Sequence, residues 1–343
     1  MWPLSRQHKP KQFQKLLSKK TMLQETMERI FPLFKKEDIF ISTNQYYTEE
    51  VKKELPQILA KNIISEPANR ERVAAFLLFA AFLKEKDLKE PIIVLPSDHL
   101  IKKKDKFLKA LRAGEKFVRE NPDHILLLGE KPTFPDTGLG YIKKGRKLKK
   151  NGSFDFHQVS MFKEKPNLKR AKSFMDQGYL WNAGIFIFTP ALIEKLAGEF
   201  LPKNYRKYQK IKKALSGKNF KKVLEKEYPE MEKASFDYSI LEKYNKNAVL
   251  PLSVGWSDIG SWAVLKNCLS SPKESFIKGN YIGMGSENIM VYGETNKLIT
   301  TLGVRDLIVA VTDDIILVCH KAESQKIKQL LEKLEKEKKF DYL

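Results

Sequence analysis

The chain has 343 residues, and 42% of them are hydrophobic, which is enough to bury a sizeable core and excludes wholesale disorder. Its 63 basic residues outnumber 42 acidic ones and give a net charge of +21. The two cysteines, Cys268 and Cys319, lie far apart, which excludes a disulfide framework and a cysteine zinc site.

The same composition bears on location. No apolar run reaches the roughly 18 residues that a membrane-spanning helix needs. The first six residues are followed by lysines, where a signal peptide would have an apolar core. We therefore expect a cytoplasmic protein with no membrane partner.

The positive charge has three interpretations. A nucleic-acid-binding protein would concentrate arginine and aromatic residues on one surface, whereas these lysines are spread along the chain, often beside glutamate. The charge can instead steer polyanionic substrates such as a nucleoside triphosphate, or it can reflect compositional bias alone. Both of these alternatives stay open, and no nucleic-acid partner is expected.

In chain order, the first 130 residues alternate short apolar segments with helical periodicities. The pattern predicts strands at 38–41, 63–67, 91–95 and 125–129, and helices at 47–55, 70–83 and 107–120. Further along, a strand is expected at 185–188, directly after Trp181-Asn182-Ala183-Gly184. Apolar strands that alternate with helices are typical of a parallel sheet covered on both faces.

From about residue 275 the pattern changes to closely spaced short strands. They are expected at 280–283, 288–291, 297–300, 306–309 and 314–317, with Gly, Asn and Asp between them. This spacing indicates a small sandwich or solenoid, and an amphipathic helix at 324–338 follows it. We expect a boundary near 265–275 and divide the chain into 1–268 and 269–343.

Two aspartates are candidate metal ligands. Asp98 follows the strand at 91–95, and ligand sites of open parallel sheets gather beyond the carboxyl ends of the strands. Asp258 lies in Gly255-Trp256-Ser257-Asp258-Ile259-Gly260, where the glycines permit a tight backbone path. The structural alternatives are a helix N-cap for Asp98 and a packed turn for Asp258.

Other polar residues are candidates for binding phosphate and sugar. Lys11 and Arg6 flank the turn at Pro10, although a solvated basic terminus would look the same. Glu164-Lys165-Pro166 follows a predicted strand, and together with Asn182 it offers a carboxylate, a lysine and an amide. Gly140 permits close approach of the backbone, but lone glycine pairs and surface Lys-Pro turns are common.

Taken in order, these segments resemble the bacterial mannose-1-phosphate guanylyltransferase family of the sugar nucleotidylyltransferases. The two tryptophan-bearing segments indicate the guanylyl branch, and the resemblance runs from residue 2 to about 335. The matching stretches are Trp2–Arg6, Pro10–Phe13, Leu95–His99, Thr137–Ile142, Phe162–Pro166, Leu180–Gly184, Phe236–Tyr238 and Gly255–Trp262.

The resemblance implies an α/β, Rossmann-like nucleotidylyltransferase domain followed by a small left-handed β-helix domain. The implied reaction joins GTP and α-D-mannose 1-phosphate into GDP-mannose and pyrophosphate, with Mg²⁺ as cofactor. A homodimer is one assembly open to such a protein. The implied roles are Asp98 and Asp258 as metal ligands, Lys11 as a catalytic phosphate contact, Arg6, Gly140, Glu164, Lys165 and Asn182 in substrate binding, and Glu66, Pro67 and Arg70 in nucleotide binding.

Two departures from the family pattern stand out. The family's Gly-Gly-x-Gly-Thr-Arg loop would lie immediately upstream of Trp2, so we expect a truncated or misassigned start, with an inactive sugar-nucleotide-binding remnant as the alternative. Arg70-Glu71-Arg72-Val73-Ala74 stands where the family has Arg-Asn-Thr-Ala-Pro, beside the base. This change leaves open a nucleotidylyltransferase that uses another nucleotide or hexose phosphate.

Overall fold

The computed structural model describes residues 1–343. The helices are α1 (Met22–Ile30), α2 (Thr48–Glu54), α3 (Glu71–Phe82), α4 (Lys104–Glu120), α5 (Leu168–Asp176), α6 (Pro190–Phe200), α7 (Pro202–Ala214), α8 (Phe220–Glu227), α9 (Trp262–Leu269) and α10 (Ile327–Lys336). The strands are β1 (Ile41–Asn44), β2 (Ile63–Glu66), β3 (Ile92–Val94), β4 (Leu100–Ile101), β5 (Ile125–Glu130), β6 (Tyr141–Asn151), β7 (Phe154–Lys163), β8 (Leu180–Phe188), β9 (Asn247–Leu252), β10 (Trp256–Ser257), β11 (Phe276–Lys278), β12 (Tyr281–Met284), β13 (Met290–Gly293), β14 (Ile299–Leu302), β15 (Leu307–Val311) and β16 (Ile316–His320).

The chain forms two compact units, each assembled from separate segments. The central unit comprises Arg29–Pro96 and Ile101–Trp256. The terminal unit comprises Met1–Glu28, Ser97–Leu100 and Ser257–Leu343. None of the helices combines the length and the hydropathy required to cross a bilayer.

A six-stranded sheet forms the middle of the central unit, with strand order β3-β8-β5-β9-β7-β6. The only parallel neighbours in it are β5 and β9; β8 is antiparallel to β3, β5 and β6, and β7 is antiparallel to β6 and β9. The sheet is therefore mixed, and the prediction of a parallel sheet is wrong. A two-residue turn with Gly152 at a φ of 59° joins β6 to β7, and so short a connection permits only antiparallel pairing.

Several predicted boundaries also move. The first strand begins at Ile41, because Lys36–Asp38 form a 3₁₀ turn where the strand was expected to start. Trp181, Asn182 and Ala183 lie inside β8, whereas the sequence predicts that the strand begins only after Gly184. Gly184 has a φ of 66° and lies at an irregularity in the β5–β8 pairing. This irregularity explains why the sequence around Gly184 resembles the start of a strand.

The expectation that helices cover both faces of the sheet is confirmed. Along β5, Ile125 and Leu127 belong to one apolar cluster, whereas Leu126 and Leu128 belong to another. The first cluster includes residues of α3, α6 and α7, and the second includes residues of α4 and α5. Because alternate residues of a strand point to opposite faces, residues 125–128 of this strand must all be apolar, and all six residues of β5 are buried.

In the terminal unit, the short strands stack into a β-helix. Parallel pairing joins β11 to β13 and β13 to β15, while β12 pairs with β14 in a second wall. The corners repeat: Gly285 and Gly303 have φ values of 61° and 65°, and Asn288 and Asp306 have 52° and 56°. Such left-handed backbone is accessible to glycine and, less readily, to asparagine and aspartate. The predicted strands at the end of the chain are thus confirmed.

The first residues of the chain pack against this β-helix. Trp2, Leu4 and Leu16 share an apolar cluster with Trp262 of α9 and with outward-facing residues of β13 and β15. The indole Nε1 of Trp262 donates to the carbonyl of Trp2 at 2.7 Å, and the indole of Trp2 donates to the carbonyl of Tyr342 at 2.7 Å. Both ends of the sequence therefore belong to one core.

Candidate functional site

Three predicted site residues meet in the terminal unit, and we call them the Lys11 cluster: Lys11, Asp98 and Asp258. Pro10 precedes a 3₁₀ turn that begins at Lys11. The Lys11 Nζ lies 3.0 Å from Asp98 Oδ2 and also donates to the backbone carbonyl of Asp258. The structure therefore brings together residues that are 87 and 247 positions apart in the chain.

The charge on Asp98 is stabilised by its neighbours. Burial alone would raise the pKa of this carboxyl, but the charge and hydrogen bond of Lys11, together with the nearby His99, outweigh it and leave the pKa below the ordinary value. His99 Nε2 is 3.7 Å from Asp98 Oδ1. Asp98 is consequently an anion at neutral pH, as a metal ligand must be.

A tight turn fixes the Asp258 side chain. Asp258 Oδ1 accepts from the amide of Gly260 at 3.1 Å, and Ile259 adopts a φ of 46°. A side chain at position 260 would place its Cβ 2.7 Å from Asp258 Oδ2 and so would displace the carboxylate from this position. Ser261 then caps α9 by accepting from the Val264 amide. Asp258 therefore lies in a packed turn, and this position is compatible with its predicted role as a metal ligand.

The Lys11 cluster suits a cation that is shared with a substrate. No group of three or more His, Cys, Asp or Glu residues in the chain could hold a metal ion by itself. Two carboxylates remain, Asp98 and Asp258, and Mg²⁺ commonly binds through one or two carboxylates plus water and substrate phosphates. The donor set therefore fits a hard divalent cation that arrives with a phosphorylated ligand.

A second set of predicted residues meets in the central unit, and we call it the Glu164 cluster: Gly140, Glu164, Lys165, Asn182 and, in addition, Asp237. The backbone N–H of Asn182 donates to the Gly140 carbonyl at 2.8 Å. Lys165 Nζ is 3.0 Å from Glu164 Oε1. A Cβ at position 140 would lie 2.4 Å from Glu164 Oε2, so the absence of a side chain at Gly140 makes room for this carboxylate.

Asp237 is the member that the sequence-based assignment of roles missed. Its Oδ1 accepts from the Asn182 side-chain amide at 3.2 Å, and its Oδ2 accepts from the Ser235 hydroxyl at 3.3 Å. The Asn182 Oδ1 in turn accepts from the Gly184 amide at 3.1 Å. Asp237 begins a π-helical turn, a feature frequent at functional sites. The only signal in the sequence was the matching stretch Phe236–Tyr238.

The Glu164 carboxyl is poised to hold a proton more readily than an ordinary glutamate. Burial raises its pKa, and the nearby charge of Asp237 raises it further, while Lys165 and Arg72 act in the opposite direction. The same pairing raises the pKa of Lys165, which stays cationic. The cluster thus combines an ammonium, an amide and a carboxyl that can accept or donate a hydrogen bond.

The residues predicted to bind the nucleotide lie together in the central unit. Glu66 accepts from the Tyr228 hydroxyl at 2.7 Å and from the Ser42 hydroxyl at 2.8 Å. Pro67, which follows it, receives a weak contact of 3.4 Å from Gln45 at its carbonyl. The Nε of Arg70 is buried without a hydrogen-bond partner. Such an unsatisfied donor is costly, which makes it a candidate ligand contact.

Arg6 makes its polar contacts within the terminal unit. Its Nη1 and Nη2 donate to the two carboxylate oxygens of Asp314 at 2.7 and 2.5 Å, and its Nε donates to the Pro3 carbonyl at 3.0 Å. The bidentate pair lowers the pKa of Asp314 strongly. None of these partners is a predicted site residue, so the visible role of Arg6 is to fasten the first turn to the β-helix.

Comparisons with known proteins agree with this architecture. The nucleotidyl transferase family model matches residues 1–271, and the MannoseP isomerase/GMP-like beta-helix domain matches residues 279–334. A mannose-1-phosphate guanylyltransferase of Salmonella montevideo is 34% identical over all of this chain and 73% of its own length. Another from Escherichia coli strain K12 is 33% identical over all of this chain and 72% of its own length.

Solved structures show the same likeness. The crystal structure described as mannose-1-phosphate geranyltransferase from Thermus thermophilus superposes with a TM-score of 0.84 at 29% identity. It covers 98% of this chain and 95% of its own. Nucleotidyl transferases of this kind generally use a divalent metal, which accords with the donor set of the Lys11 cluster.

Proposed function

We propose that this chain, which belongs to the nucleotidyl transferase family together with the bacterial mannose-1-phosphate guanylyltransferases, transfers GMP from GTP to α-D-mannose 1-phosphate. The products are GDP-mannose and pyrophosphate. The observation that carries the proposal is the Lys11 cluster, in which an ammonium contacts Asp98 and the backbone of Asp258. The accompanying division of the chain is a catalytic part, 1–268, and a β-helical part, 269–343.

The reaction needs positioning and charge neutralisation more than acid–base chemistry. An ionised phosphate oxygen of the sugar phosphate forms a bond to the α-phosphorus of GTP, and the bond from that phosphorus to the β-phosphate oxygen breaks. Because the nucleophile is already an anion, no general base is required. Lys11 places a positive charge against the triphosphate, where negative charge develops on the leaving pyrophosphate.

We infer that the divalent cation is Mg²⁺ and that Asp98 and Asp258 hold it. When bound, it neutralises charge on the triphosphate. The depressed pKa of Asp98 keeps its carboxylate available to a cation at neutral pH. The turn at Ile259 and Gly260 orients the Asp258 carboxylate before the substrate arrives. A site prepared in this way loses little entropy on binding.

The Glu164 cluster is proposed to hold the sugar phosphate. Lys165 offers a positive charge to the phosphate, and Glu164 offers a carboxyl to sugar hydroxyls. One amide hydrogen of Asn182 is taken by Asp237 and one lone pair of its oxygen by Gly184. One donor and one acceptor site of this amide therefore remain for the substrate, in an orientation that Asp237 fixes.

The base is proposed to lie against Glu66, Pro67 and Arg70, where an unpaired donor and partly used carboxylate oxygens are at hand. One observation favours a second candidate, a transferase for another nucleotide. Glu71 has a φ of 67°, a conformation that a glutamate rarely adopts, at the point where the family has asparagine. The altered backbone wall can change which base is accepted.

The test is pyrophosphate release by the purified protein. GTP, UTP and dTTP are each offered with mannose 1-phosphate or glucose 1-phosphate and Mg²⁺. We expect release with GTP and mannose 1-phosphate, and its loss in Lys11→Met with an unchanged circular dichroism spectrum. Preference for another pair would establish the second candidate. A folded protein that is silent with every pair would leave a binding remnant and overturn the enzymatic proposal.

A further inference from the structure

Arg72 is an exposed cation in the first turn of α3 that takes part in no ion pair. Its guanidinium carbon lies 5.6 Å from the centroid of the Phe186 ring, and Phe186 itself is fully buried. A guanidinium on an aromatic face is held in place while its N–H groups stay available. Arg72 is therefore positioned without being neutralised by a carboxylate.

The ring beneath Arg72 belongs to the wall that carries the Glu164 cluster. Phe186 lies four residues from Asn182 on β8 and packs 5.0 Å from the ring of Phe236, the neighbour of Asp237. The charge of Arg72 is also close enough to Glu164 to act against the rise in the pKa of that carboxyl. Packing and electrostatics thus assign Arg72 to the same site by separate routes.

The charges in the cluster explain why a second cation is needed there. Glu164 and Asp237 are two acidic groups, and Lys165 is the one ammonium paired with them. When both acids are ionised, one net negative charge remains, and this would repel a sugar phosphate that carries about −1.5 to −2 at neutral pH. Arg72 removes the excess and provides a planar fork that matches phosphate oxygens.

We propose that Arg72 is a further substrate-binding residue, which contacts the phosphate of the sugar 1-phosphate. This inference rests on the proposed function, because it takes the Glu164 cluster as the sugar-phosphate site. The proposal predicts that loss of Arg72 weakens binding of the sugar phosphate and leaves binding of the nucleotide unchanged.

The test compares Arg72→Ala and Arg72→Lys with wild type, and uses Arg206→Ala as matched control. Arg206 is an exposed arginine on α7, so its removal lowers the net charge equally. In the pyrophosphate assay we expect Arg72→Ala to raise the KM for mannose 1-phosphate about tenfold or more, with the KM for GTP unchanged. Arg72→Lys should recover part of the loss, because it restores the charge without the fork.

Calorimetric titration with mannose 1-phosphate, without nucleotide, separates this inference from the proposed function. Weaker binding in Arg72→Ala beside a wild type that binds but shows no turnover would support the contact and defeat the transferase. Normal turnover with an unchanged KM and affinity in Arg72→Ala would overturn the contact and leave the transferase standing. A raised KM for GTP, or no binding of the sugar phosphate by wild type, would also overturn the contact.

Discussion

A methyl group added at position 140 tests the Glu164 cluster at its tightest point. The Cβ of Gly140→Ala would lie 2.4 Å from Glu164 Oε2, 3.2 Å from Phe162 Cζ and 3.3 Å from the Asn182 Cβ. The first distance is impossible for a van der Waals contact, so the carboxylate must move. Since that carboxylate ends a flexible side chain, it can rotate, but doing so breaks its 3.0 Å contact with Lys165.

The size of the effect depends on how easily the Glu164 carboxylate can move. Overpacking of a well-packed interior costs about 1–3 kcal/mol, and the mobile carboxylate puts Gly140→Ala near the lower end. The larger effect falls on binding: loss of one charge-assisted contact predicts a KM for the sugar phosphate about tenfold higher, with the KM for GTP unchanged. Both values come from pyrophosphate-release assays with either substrate varied, and stability comes from urea unfolding.

Gly198→Ala is the matched control. Gly198 lies within α6, and its added Cβ would meet Tyr205 at 3.6 Å, an ordinary contact. An alanine there should stabilise the protein by about 0.5–1 kcal/mol, because glycine is the poorer helix former, and leave both KM values alone. If Gly140→Ala is folded and its KM for the sugar phosphate equals that of wild type, the assignment of the Glu164 cluster to this substrate is refuted.

Three further perturbations follow from the same contacts. Asp98→Asn should lower kcat at least about a hundredfold without changing the circular dichroism spectrum, since it removes a charge that faces Lys11; full activity would exclude a metal-binding role. Glu164→Gln should raise the melting temperature at pH 8 while impairing turnover. Because the pKa of Glu164 is higher in the folded state than in the unfolded state, ionisation of this carboxyl at high pH destabilises the fold, and the neutral amide avoids that cost. The gain in melting temperature should vanish below about pH 4, where the carboxyl of the wild type is protonated in both states. Arg6→Ala and Asp314→Asn, measured singly and together by urea unfolding, should show a coupling energy of about 1 kcal/mol, because the pair is bidentate but Asp314 is 47% exposed; strict additivity would contradict it.

Local periodicity accounted well for the first half of the central unit. The predicted strand at 125–129 became Ile125–Glu130, and the predicted helix at 70–83 became Glu71–Phe82. Local periodicity could not predict the direction of each strand. Whether β8 runs with or against β5 depends on how the connections cross the sheet, and no window of a dozen residues contains that information.

The candidate site divides in a similar way. The spacing and order of motifs identified Lys11, Asp98 and Asp258, and the structure brings them into one cluster, although their roles stay a prediction. The sequence did not predict a role for Asp237, because a lone aspartate at the start of an irregular helix has no periodic signal and its partner Asn182 is 55 positions away. In the sequence, Arg72 is only a departure from the family pattern near the base; its contact with Phe186 and the effect of its charge on the pKa of Glu164 become visible only in the structure.

The hydrogen bonds that tie Trp2 to Trp262 and to Tyr342 have a consequence for biosynthesis. Translation proceeds at about 5–20 residues per second, so the ribosome needs tens of seconds between the codons for these residues. For much of that interval Lys11 has been made, but the β13 and β15 residues of the core against which its segment packs have not. We therefore expect the nascent chain to be inactive until its β-helix has been made, and a nonsense mutation ahead of β13 should abolish catalysis even though every proposed catalytic residue has been synthesised.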